Sequence, residues 1–328
     1  MSAIQPSKKI GKVYQNPIPT RQIVGGFFSV LWKYMTAKEE REPKQQLGPF
    51  SVDTSHYSYT PEKGIRVTWM GHSSLMIEVD GRRYLTDPVV GRASFVSFAG
   101  PKRFFPYPMP LADLPQIDGL ILSHDHYDHL DAGVMQYFAT NTSFPIYCSM
   151  GVGKLLENWG ISKSRITEMD WIQTIDFGGG HSLTATPARH FTGRGLHNRN
   201  QTLWSSFVIK GPEHNVFFGA DSGYFPGFKA IGEQYGPFDL TMLEVGASDP
   251  SWPDIHMGPD NATNAHLDLK GKLMMPIHWG TFNLALHAWY EPVETTIQLA
   301  RQKGIELFLP KPGEVTHVAG AHNSEWWK

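Results

Sequence analysis

The sequence predicts an α/β fold built from two strand-rich halves, each with helices, and three observations carry that expectation. Ile65, Val67 and Trp69 alternate with Arg66 and Thr68, and Leu75, Ile77 and Val79 alternate with Met76 and Glu78, the period of two that a strand imposes. Short apolar runs, among them Gly119-Leu120-Ile121-Leu122 and Val216-Phe217-Phe218, end abruptly in acids or histidines. Between such runs lie segments with helix start and stop signals, such as Asp131 ahead of 132–140 and Gly160 after 154–159.

Taken in order, residues 1–22 mix Lys, Pro, Gln and Asn without periodicity and read as an extended arm. Residues 23–42 read as one helix, and 43–63 as polar and turn-rich. Together, 1–63 form an N-terminal extension wrapped on a main domain of 64–328. Asp80-Gly81 is a hairpin turn into Arg83-Tyr84-Leu85-Thr86, which Asp87-Pro88 ends. Residues 89–116 make a long loop rich in proline and aromatics, including Phe95, Phe98, Phe104, Phe105 and Tyr107. Long loops in compact domains are usually functional, so this one reads as a substrate wall or lipid-facing rim, with core packing of its rings as the alternative. Further strands are expected at 146–148, several between 166 and 209, and at 216–218, 239–244, 273–277 and 305–309. Helices are expected at 259–270 and from Pro292 to a stop at Gly304.

The chemistry concentrates at the end of the run 119–122. His124, Asp125, His126, Asp128, His129 and Asp131 place three histidines and three acids within eight positions. Imidazole nitrogen and carboxylate oxygen are ligands that Zn²⁺ favours in catalytic sites. In extended backbone His124 and His126 leave the chain on the same face, whereas the adjacent Asp128 and His129 cannot share that direction. The simplest reading is two metals, with His124 and His126 on one and Asp128 and His129 on the other.

His124-x-His126-x-Asp128-His129 resembles the signature of the metallo-β-lactamase superfamily. Within it the chain is similar to the N-acyl-phosphatidylethanolamine-hydrolysing phospholipase D group and its bacterial relatives. The likeness runs from about Val67 to about Pro312 through Trp69-Met70-Gly71-His72-Ser73, Thr86-Asp87-Pro88, Pro187-Ala188-Arg189-His190, Gly219-Ala220-Asp221-Ser222-Gly223-Tyr224 and His278-Trp279-Gly280-Thr281-Phe282. The resemblance implies an αββα sandwich with ligand-bearing loops meeting at one end.

It also implies the rest of the site. His190 joins His124 and His126 on the first metal, His278 joins Asp128 and His129 on the second, and Asp221 bridges the two. Asp87 stands behind the metals and orients a histidine ligand, with a turn-initiating Asp-Pro as the alternative. His72 either braces its turn or supports ligands or substrate. His256 falls where a histidine contacts phosphate, and Glu244 stands where an apolar residue is expected, so its role is open. The cofactors implied are two Zn²⁺ ions, with Mn²⁺ or Fe able to use the same ligands. A hydroxide between two such ions has its pKa lowered from 15.7 towards about 7 and attacks without any Ser or Cys nucleophile, with Asp128 orienting it.

The reaction implied is hydrolysis of a phosphodiester, a small molecule or a lipid of the N-acylphosphatidylethanolamine kind, by a phospholipase D-type cut. A lactonase or soluble phosphodiesterase of the same fold is the alternative. A non-catalytic metal-binding scaffold would show a lost ligand, and all seven positions are occupied. Net charge is -2 with no long basic run, so no electrostatic footprint for nucleic acid is present. The one cysteine, Cys148, provides no disulfide framework and suits a reducing compartment, with the cytoplasm the expected location. No apolar stretch reaches the roughly 18 residues of a membrane span. The apolar segment 23–32 is expected to pack on the enzyme body or on a second subunit of a homodimer, or to lie at the inner membrane surface.

Overall fold

The computed structural model describes residues 4–24, 32–33, 36, 38–94, 98–195, 197–320 and 322–328. The alternating segment becomes an antiparallel meander of β3 (Ile65–Gly71), β4 (Ser74–Val79) and β5 (Arg82–Thr86). Asp80 and Gly81 both take positive φ (47° and 95°), as a tight two-residue hairpin turn requires. Beyond β5, the strands β6 (Gly119–Leu122), β7 (Ile146–Ser149) and β8 (Ile166–Met169) add in parallel, and β16 (Val315–His317) pairs antiparallel on β3. Among the described residues this gives a seven-stranded sheet ordered β16-β3-β4-β5-β6-β7-β8.

The second seven-stranded sheet follows chain order. Its antiparallel part comprises β9 (Thr174–Gly178), β10 (His181–Thr186), β11 (Ser206–Lys210) and β12 (Asn215–Phe218). Its parallel part adds β13 (Phe238–Glu244), β14 (Gly271–Ile277) and β15 (Glu306–Leu307).

Side-chain alternation divides the core in two. Ile65, Val67, Trp69, Leu75, Ile77, Tyr84 and Ile121 face the second sheet and join Leu183, Phe207 and Phe217 in one cluster. Their neighbours Met70, Met76, Leu85, Leu120 and Leu122 face the other way, against Val134, Met135 and Phe138 of α1 (Ala132–Asn141) and Leu156 of α2 (Gly153–Asn158). On the second sheet's side, α3 (Gly227–Gln234), α4 (Gly258–Asp268) and α5 (Glu291–Lys303) contribute Phe228, Ala262 and Val293 to the first cluster. Each large apolar side chain so buried contributes roughly 1.5–3 kcal/mol. The layers are helix, sheet, sheet, helix: the αββα sandwich.

Arg66 and Glu78 belong to the outward-facing set yet are 1% exposed. Glu78 takes both Arg66 and Arg83 as partners, and the carbonyls of Tyr57 and Tyr59 cap the guanidinium groups. The segment around the 3-10 turn Thr54–Ser58 therefore covers this face.

Several expectations need correction. The arm 1–22 is not uniformly extended, because β1 (Lys8–Ile10) and β2 (Val13–Gln15) form a hairpin. Residues 23–24 and 38–42 are not helical, so the helix expected over 23–42 is shorter. Most of its apolar part, 25–31, lies outside the described residues, as does Phe95 of the aromatic loop. In that loop Phe104 and Phe105 pack into the core, and Phe105 meets Phe50 edge-on at 4.9 Å, while Phe98 is 83% exposed. Neither β16 nor α3 was expected. No helix among the described residues is long and apolar enough to cross a membrane.

Candidate metal centre

Strand ends deliver the site, as is general where parallel strands meet a ligand. Past β6 come His124, His126, Asp128 and His129; past β5, Asp87; past β10, His190; past β12, Asp221; β13 ends on Glu244 and β14 leads into His278. His72 sits in the tight turn between β3 and β4. His72, Asp87 and His278 hold positive φ (57°, 36° and 63°), which strains a residue with a side chain by roughly 1–3 kcal/mol each. Backbone also approaches backbone closely here. A Cβ on Gly246 would lie 2.1 Å from the His278 carbonyl oxygen, and one on Gly223 would lie 1.8 Å from that of Asp254, so only glycine fits at either position.

Three groups of potential ligand atoms result among the described residues, each within 4.8 Å across: His124, His126, His190 and Asp221; His72, Asp128, His129 and His278; and an overlapping one of Asp221, Glu244, His256 and His278. The first two hold all seven residues expected as ligands. Asp221 serves both. Its Oδ2 faces His190 Nε2 at 3.6 Å and His124 Nε2 at 3.9 Å, while its Oδ1 faces His129 Nε2 and His278 Nε2, each at 3.1 Å. Asp128 Oδ2 lies 2.9 Å from His72 Nε2, 3.4 Å from His278 Nε2 and 3.6 Å from His129 Nε2.

All seven residues expected as ligands therefore gather at one place, and His72 joins the second group directly. Whether cations fit can be tested on the donor atoms themselves. His129 Nε2, His278 Nε2 and Asp221 Oδ1 are buried and have no hydrogen-bond partner, although they lie close together. Orphaned buried polar atoms are costly, and atoms that converge without bonding one another suit a shared cation. The donor set fits a pair of metal ions.

Behind the ligands, the other ring nitrogens are tied down. Asp87 Oδ2 lies 2.8 Å from His129 Nδ1, and the Asp87 carboxylate accepts from Ser123 N (2.8 Å) and Ser123 Oγ (2.5 Å). The Ile255 carbonyl holds His190 Nδ1 at 2.8 Å. Such contacts fix the tautomer and ring direction of a ligand.

Electrostatics follow from burial and crowding. Burial, then the neighbouring imidazoles, push His124 well below the usual histidine value, and burial does the same to His190. Burial would also lower His278, but the carboxylates of Asp221 and Asp128 outweigh it and carry the group to about 10. Burial opposes the charge of Asp221 too, and His129 and His278 outweigh it, holding that carboxyl well below the usual range. The carboxylates thus demand positive charge at the Nε2 atoms facing them, whether from protons or from metal cations.

Glu244 is the residue whose part was open. Fully buried, it accepts from Ser222 N (2.8 Å) and Met257 N (3.2 Å) through Oε1, and its Oε2 lies 2.6 Å from His256 Nδ1. The same oxygen lies 3.9 Å from His278 Nδ1. An acid at the end of an apolar strand was the available signal, the one that Asp221 also gives. His256 itself is partly exposed and lines a cleft of about 470 Å³ with Asp249 and His287. His197 is exposed and His214 pairs with Asp80 at 2.7 Å.

Fold and site together define a metal-dependent hydrolase of the metallo-β-lactamase fold. The sequence pattern of the beta-lactamase superfamily domain matches residues 82–279, more than half of the 328. The chain belongs to the beta-lactamase superfamily. An uncharacterised protein of Mycobacterium tuberculosis is 43% identical over 269 residues, 80% of this chain and 72% of that one. The N-acyl-phosphatidylethanolamine-hydrolyzing phospholipase D 1 of Caenorhabditis elegans is 38% identical over 240 residues, 70% of this chain and 67% of that one. Among solved structures, a metallo hydrolase from Ignicoccus hospitalis superposes with a TM-score of 0.58 at 21% identity, covering 77% of this chain and 97% of that one, a likeness of fold.

Proposed function

We propose that this protein is a phosphodiesterase of phospholipase D type that cleaves N-acylphosphatidylethanolamine-like lipids, with two metal ions, Zn²⁺ by preference, as cofactor. The observation that carries the reading is Asp221, one carboxylate presenting an oxygen to each of two histidine groups. The 38% identity to the nematode phospholipase D points to the substrate class.

His124, His126 and His190 would hold one ion, and Asp128, His129 and His278 the other, with Asp221 between them. Bound there, such ions supply an acidified water and Lewis-acid charge for a displacement at phosphorus. The chain's own residues do the positioning. Asp128 is held by His72 at 2.9 Å, so its carboxylate stays aimed at the pair and can accept a proton bond from water beside it. His256, its Nδ1 engaged by Glu244, has Nε2 left for a phosphate oxygen. Peripheral contact with a membrane surface, through residues 23–32 and the loop 89–116, and a homodimer complete the proposal.

The deciding assay is release of N-acylethanolamine from N-acylphosphatidylethanolamine vesicles by zinc-loaded protein. Release that a chelator abolishes and added Zn²⁺ restores supports the reading. Turnover of lactones alone, with no phosphodiester cleaved, overturns it.

Glu244→Gln tests the positioning chain. An amide that keeps its oxygen on Ser222 N and Met257 N turns an N–H group towards His256 Nδ1 and forces the other tautomer. The expected loss is about 10–100-fold in kcat/KM, with the urea midpoint nearly unchanged, read by steady-state kinetics beside an unfolding curve.

A further inference from the structure

The loop that carries the candidate ligands has a second cleft on its flank, of about 570 Å³, lined by Arg92, Lys102, Arg103 and Arg194 together with Tyr127 and Asp131. Tyr127 stands between His126 and Asp128 in the chain, so the cleft adjoins the metal centre. Its charge is one-sided. Asp131 is the one carboxylate among the described lining residues, and both its oxygens are engaged. Oδ1 accepts from Gly133 N (2.9 Å) and Val134 N (3.3 Å), and Oδ2 from Val90 N (3.1 Å) and Gly91 N (2.9 Å).

The cations, by contrast, meet only neutral acceptors. Arg103 donates to the carbonyls of Met70, Val89 and Phe105, Arg194 to those of Asp125 (2.9 Å) and Leu130 (2.6 Å), and Arg92 to that of Gly100 (2.8 Å). Carbonyls satisfy the N–H groups, and aromatic faces share the charge of two of them, Arg194 over Tyr127 (3.9 Å) and Trp159 (5.1 Å) and Arg103 over Phe105 (5.2 Å) and Tyr107 (5.2 Å), but among the described residues none of the four cations forms an ion pair. Burial pushes the Arg103 guanidinium down to about 10 and lowers Arg194 as well, a penalty that a bound anion would relieve. In a chain whose net charge is -2, four cations without an ion pair around one cleft offer a place for an anion.

We propose that this cleft binds a second phosphate group, next to the one being cleaved. The phosphate belongs to the substrate itself or to a neighbouring lipid. The excess of cations over carboxylates matches a phosphomonoester dianion better than a single charge, and arginine forks suit phosphate oxygens. The placement beside the metal centre gives the site its use: it selects phosphodiesters that carry, or lie among, further phosphates. This deepens the phosphodiesterase reading and rests on it for the chemistry at the neighbouring centre.

The test compares two soluble substrates on metal-loaded protein: bis(4-nitrophenyl) phosphate, and an aryl phosphodiester with a terminal phosphomonoester. In Arg92→Ala/Lys102→Ala, which alters only the rim, the ratio of kcat/KM for the second substrate over the first is expected to fall about tenfold or more, mainly through KM. Lys210→Ala/Lys272→Ala, at the end of the second sheet away from Asp221 and His278, leaves the ratio as it was. A parallel arm uses N-acylphosphatidylethanolamine vesicles with and without phosphatidate. Stimulation by phosphatidate that the rim variant loses assigns the second phosphate to a neighbouring lipid, whereas an effect confined to the soluble pair assigns it to the substrate. Unchanged ratios in both arms overturn the proposal while leaving phosphodiesterase activity standing. Should neither phosphodiester be cleaved, the reaction class falls first. Calorimetry with glycerol 3-phosphate then judges the cleft separately, and equal binding by wild type and rim variant would reject it.

Discussion

Asp221→Asn is expected to cost this protein one metal ion and nearly all turnover. Asparagine keeps the volume of the side chain but provides one neutral oxygen where two charged ones now face opposite groups. The atoms arrayed around it, His129 Nε2 and His278 Nε2 at 3.1 Å and His190 Nε2 at 3.6 Å, would meet an N–H group on one side. Metal retained by protein loaded with zinc, measured by plasma emission after dialysis, should drop from about two to about one ion per chain or fewer. Activity should fall at least ~10³-fold, equivalent to about 4 kcal/mol of transition-state stabilisation. Full zinc content with wild-type turnover would remove Asp221 from the centre.

The largest expected effect on stability lies elsewhere. Glu78→Gln removes the one carboxylate that two buried guanidinium groups share: Arg66 Nη2 at 2.8 Å and Arg83 Nε at 2.9 Å from its Oε1, and Arg66 Nε at its Oε2. All three side chains are at most 4% exposed, so no water replaces the lost charge. Breaking a buried pair by removing one partner costs roughly 3–5 kcal/mol, since the charge left behind stays desolvated. The denaturant midpoint should move down by that amount divided by the m-value, with kinetic constants of the surviving folded fraction unaltered. A shift below about 1 kcal/mol would mean that the carbonyls of Tyr57 and Tyr59 already hold the two arginines, as an exposed pair would allow.

How much of this was legible depended on how local each signal is. The cluster from His124 to His129 announces itself, because so many ligand types in so few positions have little other use. His190, Asp221 and His278 stand singly, each an ordinary residue until the fold brings three distant strand ends together. Only their flanking motifs and the family likeness mark them. Glu244 carries the same mark as Asp221, an acid closing an apolar strand, yet what it does depends on His256, twelve positions on and in a loop.

Short paired segments escape a periodicity argument altogether. Lys8–Ile10, Val13–Gln15 and Val315–His317 are three residues each and exist as strands because partners are present. The helix Gly227–Gln234 carries a glycine, Gly232, in its interior and lacks a side-chain cap. Loop aromatics are ambiguous for another reason. Phe105 is equally apolar whether it lines a cleft or fills a core. Its place is set by Phe50 and Trp326, which lie far away in the chain, and at the cleft it is joined by Arg103 and Lys102 of the same loop.

The arm before residue 24 is stitched to the same loops. Asn16 trades two hydrogen bonds with the backbone of His190 (2.7 and 2.9 Å), and Arg21 grips Asp254, which also pairs with Arg189 at 2.9 Å. These contacts join positions 174 and 233 residues apart. During synthesis the arm emerges ahead of its partners and has nothing to hold until the strands that bear His190 and the loop before His256 have followed. The loops around the metal centre therefore acquire their final bracing late, from residues made well before them. Anything fused close ahead of the arm, such as an affinity tag or a reporter, would act on metal loading, not only on solubility.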